Sequence, residues 1–123
     1  MGETIYNLAF DFGASSGRMI LSKYADGKIE LEELHRFSND PVRIGKNFYW
    51  DTFRLYHELK QGLKKAAARK LPIKSLAIDT WGVDYALLDK DGNIIGNPIN
   101  YRDDRFSEVQ PFHRSNAAPS VAC

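Results

Sequence analysis

The order of strand-like and helix-like segments in the 123-residue chain predicts an α/β fold with a mixed central sheet. Three apolar runs separated by turn residues come first, one long helical pattern follows, and another compact apolar run comes directly after it. Strands joined by tight turns pair antiparallel, whereas a strand reached through a crossover helix usually lies parallel to an earlier one. The predicted order is therefore β-β-β-α-β.

The first apolar run, residues 5–10, leads into a carboxylate and a turn of small residues, Gly-Ala-Ser-Ser-Gly-Arg at 13–18. The N–H groups and hydroxyls of such a turn can form an anion-binding concavity, and Asp11 could hold a hydrated metal ion. Gly13 and Gly17 would permit positive φ and the close approach of a ligand. A Walker loop and a dinucleotide fingerprint both need a helix after the turn, so the remaining alternative is an ordinary β-hairpin.

The second and third strands are predicted at 19–24 and 29–37, because Asp26-Gly27 between them is a strong two-residue hairpin signal. Residues 38–46 are rich in turn formers and are predicted as a loop. His35, His57 and His113 show no metal-ligand spacing and are interpreted as structural or surface residues.

Asp51 is a favourable N-cap for the helical pattern that follows it, and Leu71-Pro72 ends that pattern. The apolar residues at helical spacing are Tyr56, Leu59, Leu63 and Ala67. The basic residues near the end of the helix are interpreted as a solvated face rather than a nucleic-acid contact.

Residues 73–79 form a compact apolar run that is typical of a buried strand after a crossover helix. A further strand is predicted at 85–88, with a turn at 91–92 and a return at 94–95. Residues 106–123 have no period and are predicted to be an irregular tail after an ordered region at 1–105.

Composition limits the classes of function. The net charge is +1, which gives no global reason to expect nucleic acid or an anionic membrane as a partner. The single cysteine, Cys123, excludes an internal disulfide. No signal peptide or membrane-spanning run is recognisable, and a cytoplasmic location is the resulting expectation.

A second polar constellation, Asp-Thr-Trp-Gly-Val-Asp at 79–84, follows the strand predicted after the helix. Ligands of open α/β sheets bind beyond such strand ends. Trp81 offers a face for a sugar, Gly82 allows close approach, and Asp84 could accept hydrogen bonds from hydroxyls. Tyr101 and Arg102 could add donors. Taken singly, each of these residues could equally be a core aromatic, a turn former or a surface pair.

With both constellations in view, the chain resembles the FGGY family of carbohydrate kinases over about residues 5–105. The motifs at 11–18 and 78–84 are the specific ones, and they favour the branch acting on L-rhamnulose over xylulose, glycerol and gluconate kinases. The other matching segments are 35–37, 50–51 and 101–103.

The resemblance implies part of the N-terminal domain of an actin-like, ribonuclease-H-like ATPase fold. It implies that ATP phosphates bind at Gly13, Ala14, Ser15, Ser16, Gly17 and Arg18, and that Asp11 holds Mg²⁺ through water. It also implies a sugar site that includes Gly82, with Trp81 and Asp84 as neighbours. The implied reaction is transfer of the γ-phosphoryl group of ATP to the 1-hydroxyl of L-rhamnulose.

The resemblance also implies what this chain lacks. In the family, the general base is an aspartate at the far end of the first domain, and no residue here occupies that position. The second domain with the adenine pocket is absent as well, so we expect the isolated chain to be inactive. The alternatives are a kinase for a related ketose such as fuculose, a non-catalytic nucleotide-binding module, and a segment unstable on its own because its sheet edges are unpaired. The oligomeric state is not predicted.

Overall fold

A computed structural model describes residues 2–107, and the predicted tail at 106–123 lies almost wholly outside that range. The described chain contains six strands, one α-helix and one 3₁₀ turn. In chain order they are β1 (Ile5–Phe12), β2 (Ser16–Ala25), β3 (Lys28–Ser38), β4 (Val42–Ile44), β5 (Asn47–Tyr49), α1 (Thr52–Ala68), β6 (Ile73–Thr80) and the 3₁₀ turn Asp104–Phe106.

Four strands form one mixed sheet in the order β3-β2-β1-β6. β1 and β2 pair antiparallel, as do β2 and β3, whereas β6 lies parallel to β1. The β2–β3 connection is the predicted two-residue turn, in which Asp26 and Gly27 both have positive φ, 50° and 74°. This turn geometry matches the twist of the flanking strands. Within this four-stranded sheet, the predicted β-β-β-α-β order and mixed pairing are confirmed, while β4 and β5 form a separate two-stranded sheet.

α1 covers one face of the sheet, and the apolar core lies between the two layers. Asp51 caps the helix as predicted, because its side chain accepts a hydrogen bond from the backbone N–H of Arg54. Gly62 allows the close approach, since a Cβ there would lie 3.0 Å from Met19 Cε and 3.1 Å from the Phe10 ring. The buried core residues are Leu8, Phe10, Met19, Leu21, Phe37 and Ala66.

The face of α1 that packs is offset from the predicted apolar stripe. Glu58, Gly62 and Ala66 are its buried residues, whereas Tyr56 and Ala67 are exposed. The offset arises because a glycine and a paired glutamate fill the closest positions, which apolar spacing does not reveal. The helix is therefore placed by close backbone approach as much as by hydrophobic side chains.

Two local predictions, for residues 38–46 and 85–88, differ from the structure. The loop predicted at 38–46 contains β4, which pairs with β5. The strand predicted at 85–88 is absent among the described residues, where the hairpin is reduced to one bridge, Leu88–Ile94. The side chain of Asp89 accepts bonds from the backbone of the intervening turn and closes it as a loop.

β6 is not buried as predicted. Its residues from Lys74 to Thr80 are exposed, including Leu76 and Ile78. β6 is an edge strand of the sheet, and within the described residues no further strand pairs with its outer side.

A buried polar pair joins β3 to α1. His35 Nε2 lies 2.6 Å from Glu58 Oε2, and the side chains of both residues are more than nine-tenths buried. Arg54 Nε donates to Glu58 Oε1 at 2.5 Å. Burial raises the pKa of Glu58, but the hydrogen bonds from His35 and Arg54 outweigh burial and hold this pKa below its ordinary value of 4.5.

Among residues 2–107, no helix is both long and apolar enough to cross a membrane.

The Glu58 contacts predict a specific loss of stability in acid. A carboxylate whose pKa is lowered on folding stabilises the fold above its unfolded pKa, and this contribution disappears as the pH falls through the folded pKa. The free energy of unfolding of Glu58→Gln should therefore be lower at neutral pH and decrease less steeply below pH 4.5. Urea titrations across that range test this, with Glu30→Gln, an exposed residue, as the control. An identical pH slope in Glu58→Gln and the unsubstituted chain would contradict the assignment.

Candidate functional site

The ends of β1 and β6 bring the two polar constellations to the same edge of the sheet. Because the strands run parallel, Asp11 aligns with Asp79 and Phe12 with Thr80. The alignment continues past the strand end, where the backbone N–H of Trp81 donates to Phe12 O at 3.2 Å. The turn that follows β1 and the loop that follows β6 therefore start from neighbouring points.

The turn at 13–15 is closed by a hydrogen bond from Gly13 N–H to Ser16 O at 2.9 Å. Gly13 and Gly17 do not have positive φ, so the positive φ predicted for these two glycines is wrong, whereas the predicted close approach of a ligand stays a prediction. Gly13 is required by close approach instead, since a Cβ there would lie 2.5 Å from Ser16 O. Within the described chain, the N–H groups of Ala14 and Ser15 donate to no protein acceptor. These two donors are available to an anion.

Gly17 and Arg18, predicted as part of the turn, lie within β2. Gly17 makes room for a core aromatic, because a Cβ at this position would lie 2.2 Å from the ring of Phe37. The Arg18 guanidinium donates across the strand pair to Asp11 Oδ2 at 3.3 Å, and both side chains are about half exposed. Arg18 therefore brings a cation to the rim of the turn.

The residues around Asp11 fit a hydrated Mg²⁺ better than a fully protein-bound metal. Within residues 2–107 no group of three or more His, Cys, Asp or Glu side chains is close enough to enclose a metal ion. Asp11 and Asp79 are register partners on adjacent strands, which supplies two carboxylates at the edge that carries the turn. Mg²⁺ keeps several waters and commonly takes one or two carboxylates together with phosphate oxygens.

Asp84 ties the second constellation together. Its Oδ2 accepts hydrogen bonds from Trp50 Nε1 at 2.5 Å, Trp81 Nε1 at 3.3 Å and the backbone N–H of Tyr101 at 3.3 Å. Three separate segments of the chain therefore converge on one carboxylate oxygen. Asp84 Oδ2 thus organises the aromatic groups, and the direct role in binding hydroxyls stays a prediction.

The aromatic side chains form a cluster of tilted rings. The ring centroids of Trp50 and Trp81 lie 4.0 Å apart, and the ring centroid of Tyr101 lies 6.4 Å from that of Trp50. Trp50 is 1% exposed, whereas Trp81 keeps an accessible part of its ring. Arg102 places its guanidinium over the Tyr101 ring at 5.0 Å. Among the predicted sugar residues, the structure thus groups Trp81, Asp84, Tyr101 and Arg102.

Gly82 and Val83 form the exposed tip of this loop. A Cβ at Gly82 would meet no atom within 4 Å, so the described chain gives no packing reason for a glycine there. Val83 has φ 72°, a conformation that costs a β-branched residue of order 1–3 kcal/mol. Strain of this kind at an exposed loop beside open space favours a binding role over a packing role.

Two features of this region are not predicted from the sequence. Trp50 is part of the aromatic group although it precedes α1, and Asp103 pins the segment that carries Tyr101. Asp103 accepts from Phe48 N–H at 2.5 Å and from the backbone and side chain of Arg105. The hydrogen bond from Arg105 N–H is the main reason that the pKa of Asp103 lies below its ordinary value, with burial opposing it.

A cavity of about 450 Å³ is lined in part by Asp84. It is bounded by 83–87, 95–99 and 105–106 and is mostly apolar. This cavity extends the loop region toward the exposed side chains of Tyr85, Leu87 and Ile95.

Comparison with curated proteins finds rhamnulokinases of several bacteria among the relatives of this chain. The chain is 50% identical over 95 residues to a rhamnulokinase of Bacteroides thetaiotaomicron, 47% over 100 residues to one of Klebsiella pneumoniae, and 44% over 99 residues to one of Oceanobacillus iheyensis. These matches cover 77–80% of this chain but only 20–21% of the relatives. The chain thus spans about one fifth of their length. No protein-family model matches it.

Solved structures with the same fold include sugar kinases. A gluconate kinase from Lactobacillus acidophilus matches 83% of this chain with a TM-score of 0.65 at 13% identity. A carbohydrate kinase from Novosphingobium aromaticivorans matches 88% with a TM-score of 0.63 at 20% identity. The matches cover 20% and 24% of those chains. The predicted actin-like fold class is confirmed.

Removal of the Asp84 carboxylate should release the aromatic group. Asp84→Ala leaves the buried indole N–H of Trp50 without its acceptor, which costs about 1–3 kcal/mol of unfolding free energy. The chain has two tryptophans, and both contact Asp84, so intrinsic fluorescence reports this cluster directly. We expect a red-shifted emission that iodide quenches more readily.

The control for this measurement is Asp91→Ala, an exposed residue that contacts Lys90. Its emission should match that of the unsubstituted chain. Unchanged emission and quenching in Asp84→Ala would show that Asp84 does not hold the tryptophans.

Proposed function

By its sequence relatives and its fold this chain belongs to the FGGY family of carbohydrate kinases, and we propose from this premise that it supplies part of the active site of an ATP-dependent kinase: a phosphate turn, residues 13–16, and part of the sugar site. The proposed reaction transfers the γ-phosphoryl group of ATP to the 1-hydroxyl of L-rhamnulose. The substrate assignment rests on the rhamnulokinase relatives.

The observation that carries the proposal is the shared sheet edge. The hydrogen bond from Trp81 N–H to Phe12 O joins the loop that would hold the sugar to the strand that ends in the phosphate turn. Phosphoryl transfer depends mainly on positioning the donor and acceptor and on neutralising charge. A site that places an anion-binding turn beside an aromatic and hydroxyl-binding loop meets both needs.

The residues of the chain would act as follows. The N–H groups of Ala14 and Ser15, with the hydroxyls of Ser15 and Ser16, would bind phosphate oxygens. Arg18 would add a positive charge at the rim. Asp11 would orient the waters of Mg²⁺, which supplies charge neutralisation to the transferring group when bound.

The sugar would lie against the accessible face of Trp81, with Gly82 leaving room for its approach. Its hydroxyls would be bound by the second carboxylate oxygen of Asp84 and by the side chains of Tyr101 and Arg102. No general base is assigned among the described residues. We therefore propose that the isolated chain binds its ligands without turnover.

A chimera tests the assignment most directly. Residues 5–105 of this chain would replace the matching segment of the Bacteroides thetaiotaomicron rhamnulokinase. We expect phosphorylation of L-rhamnulose in preference to L-fuculose and D-xylulose. Preference for fuculose would support the related-ketose alternative, and a folded chimera with no kinase activity would support the non-catalytic alternative.

Within the chimera, Gly82→Ala separates binding from packing. The position is open in this chain, so the substitution should leave the melting temperature unchanged while raising KM for the sugar about tenfold through lost room for the ligand. The matched control is Gly96→Ala, another open position, which should change neither quantity. A normal KM in Gly82→Ala would remove this residue from the proposed site.

The isolated chain provides the test of inactivity. ATP-dependent phosphorylation of L-rhamnulose by the purified chain should equal that of Ser16→Asp, in which a carboxylate would repel the phosphates. Turnover well above this control would contradict the proposal that the isolated chain binds its ligands without turnover.

A further inference from the structure

A buried asparagine lies directly behind the phosphate turn. Asn39, the residue after β3, is 5% exposed. Its side-chain Nδ2 donates to Gly13 O at 2.9 Å, and its backbone N–H donates to Ser15 O at 3.0 Å. Asn39 is more than twenty residues away from these acceptors in the sequence. Both acceptors are carbonyl oxygens of the segment 13–15.

These bonds determine which way the turn presents its dipoles. Each peptide unit is planar and trans, so its N–H points away from its carbonyl oxygen. Fixing Gly13 O toward Asn39 points the N–H of Ala14 in the opposite direction, and fixing Ser15 O does the same for the N–H of Ser16. The Gly13–Ser16 hydrogen bond engages a third carbonyl oxygen, that of Ser16 at the start of β2. Carbonyl oxygens would repel an anion, and those of Gly13, Ser15 and Ser16 are engaged by protein donors.

From this geometry we infer that Asn39 is a positioning residue for phosphate binding, a role that rests on the proposed function. It touches no ligand itself. It holds the turn so that N–H groups, rather than carbonyl oxygens, face the anion before the anion arrives. Preorganised donors bind more tightly than donors that must reorient, because the cost of ordering has been met on folding.

The test uses the full chain and magnesium tripolyphosphate, a probe that lacks adenosine and so reports the phosphate turn alone. Binding is followed by the backbone amide NMR signals of 13–17. Asn39→Ala removes the Nδ2 donor and keeps the backbone N–H, and it should weaken binding about tenfold. Asn39→Asp is isosteric, places a carboxylate against Gly13 O, and should weaken binding at least as much.

The control is Ser38→Ala, the neighbouring residue, whose exposed hydroxyl donates to Asp40. It should bind the probe like the unsubstituted chain. A merely structural role for Asn39 would lower the melting temperature without changing the affinity of the folded protein. Folded Asn39→Ala and Asn39→Asp chains that bind like Ser38→Ala would overturn the inference.

A second readout does not depend on the ligand. In the ligand-free chain, amide hydrogen exchange at Gly13, whose N–H donates to Ser16 O, should be faster in both Asn39 variants than in Ser38→Ala, and unchanged exchange would also overturn the inference. Failure of the unsubstituted chain to bind the probe, with the exchange difference present, would instead contradict the proposed phosphate site. The two failures are therefore distinguishable.

Discussion

The parallel pairing of β1 with β6 is the constraint on which the rest of the site depends. The register that aligns Phe12 with Thr80 continues into the hydrogen bond between Trp81 N–H and Phe12 O. A two-residue slip of β6 would separate the turn from the Trp81 loop by about 6 to 7 Å. The site is therefore built by strand register, and α1 contributes by covering the face of the sheet beneath it.

Two polar residues orient the groups around these strand ends. Asp84 Oδ2 accepts hydrogen bonds from Trp50, Trp81 and the backbone of Tyr101. Asn39 donates to two carbonyl oxygens of the turn at 13–15. Each is at least partly buried, where a hydrogen bond that is made is worth more and one that is lost costs more. The apolar core sets the distance between the layers, while these polar contacts set the orientation of the groups that would meet the ligands.

The exposed side of the structure has a different character. β6 has Leu76 and Ile78 exposed, and the loop region beyond it exposes Tyr85 and Leu87. An apolar strand at a sheet edge is usually paired or covered. The chain spans about one fifth of its rhamnulokinase relatives. The apolar residues of β6 indicate a buried strand, whereas the described chain leaves the strand exposed.

The sequence predicted the elements that local chemistry determines. The Asp26-Gly27 turn, the Asp51 cap and the strand–turn–strand at Gly13 were all recognisable because their signals lie within a few residues. Contacts between distant residues were not predictable from one sequence. Asn39 is 26 residues from Gly13, and Trp50 is 34 from Asp84, so neither partner marks the other in the sequence. The same limit explains the offset helix face, which depends on which residues of α1 meet Met19 and Phe10.

In the proposed kinase, the turn at 13–16 and the loop at 81–84 form one site. Paramagnetic broadening by Mn²⁺·ATP tests this arrangement, because the broadening of an amide signal decreases steeply with distance from the metal. A shared site predicts strong broadening of amides at 11–16 and 81–84 and none at the Asp26-Gly27 turn, which lies about 30 Å away along the ten residues of β2. Broadening at 11–16 with sharp signals at 81–84 would contradict a shared site.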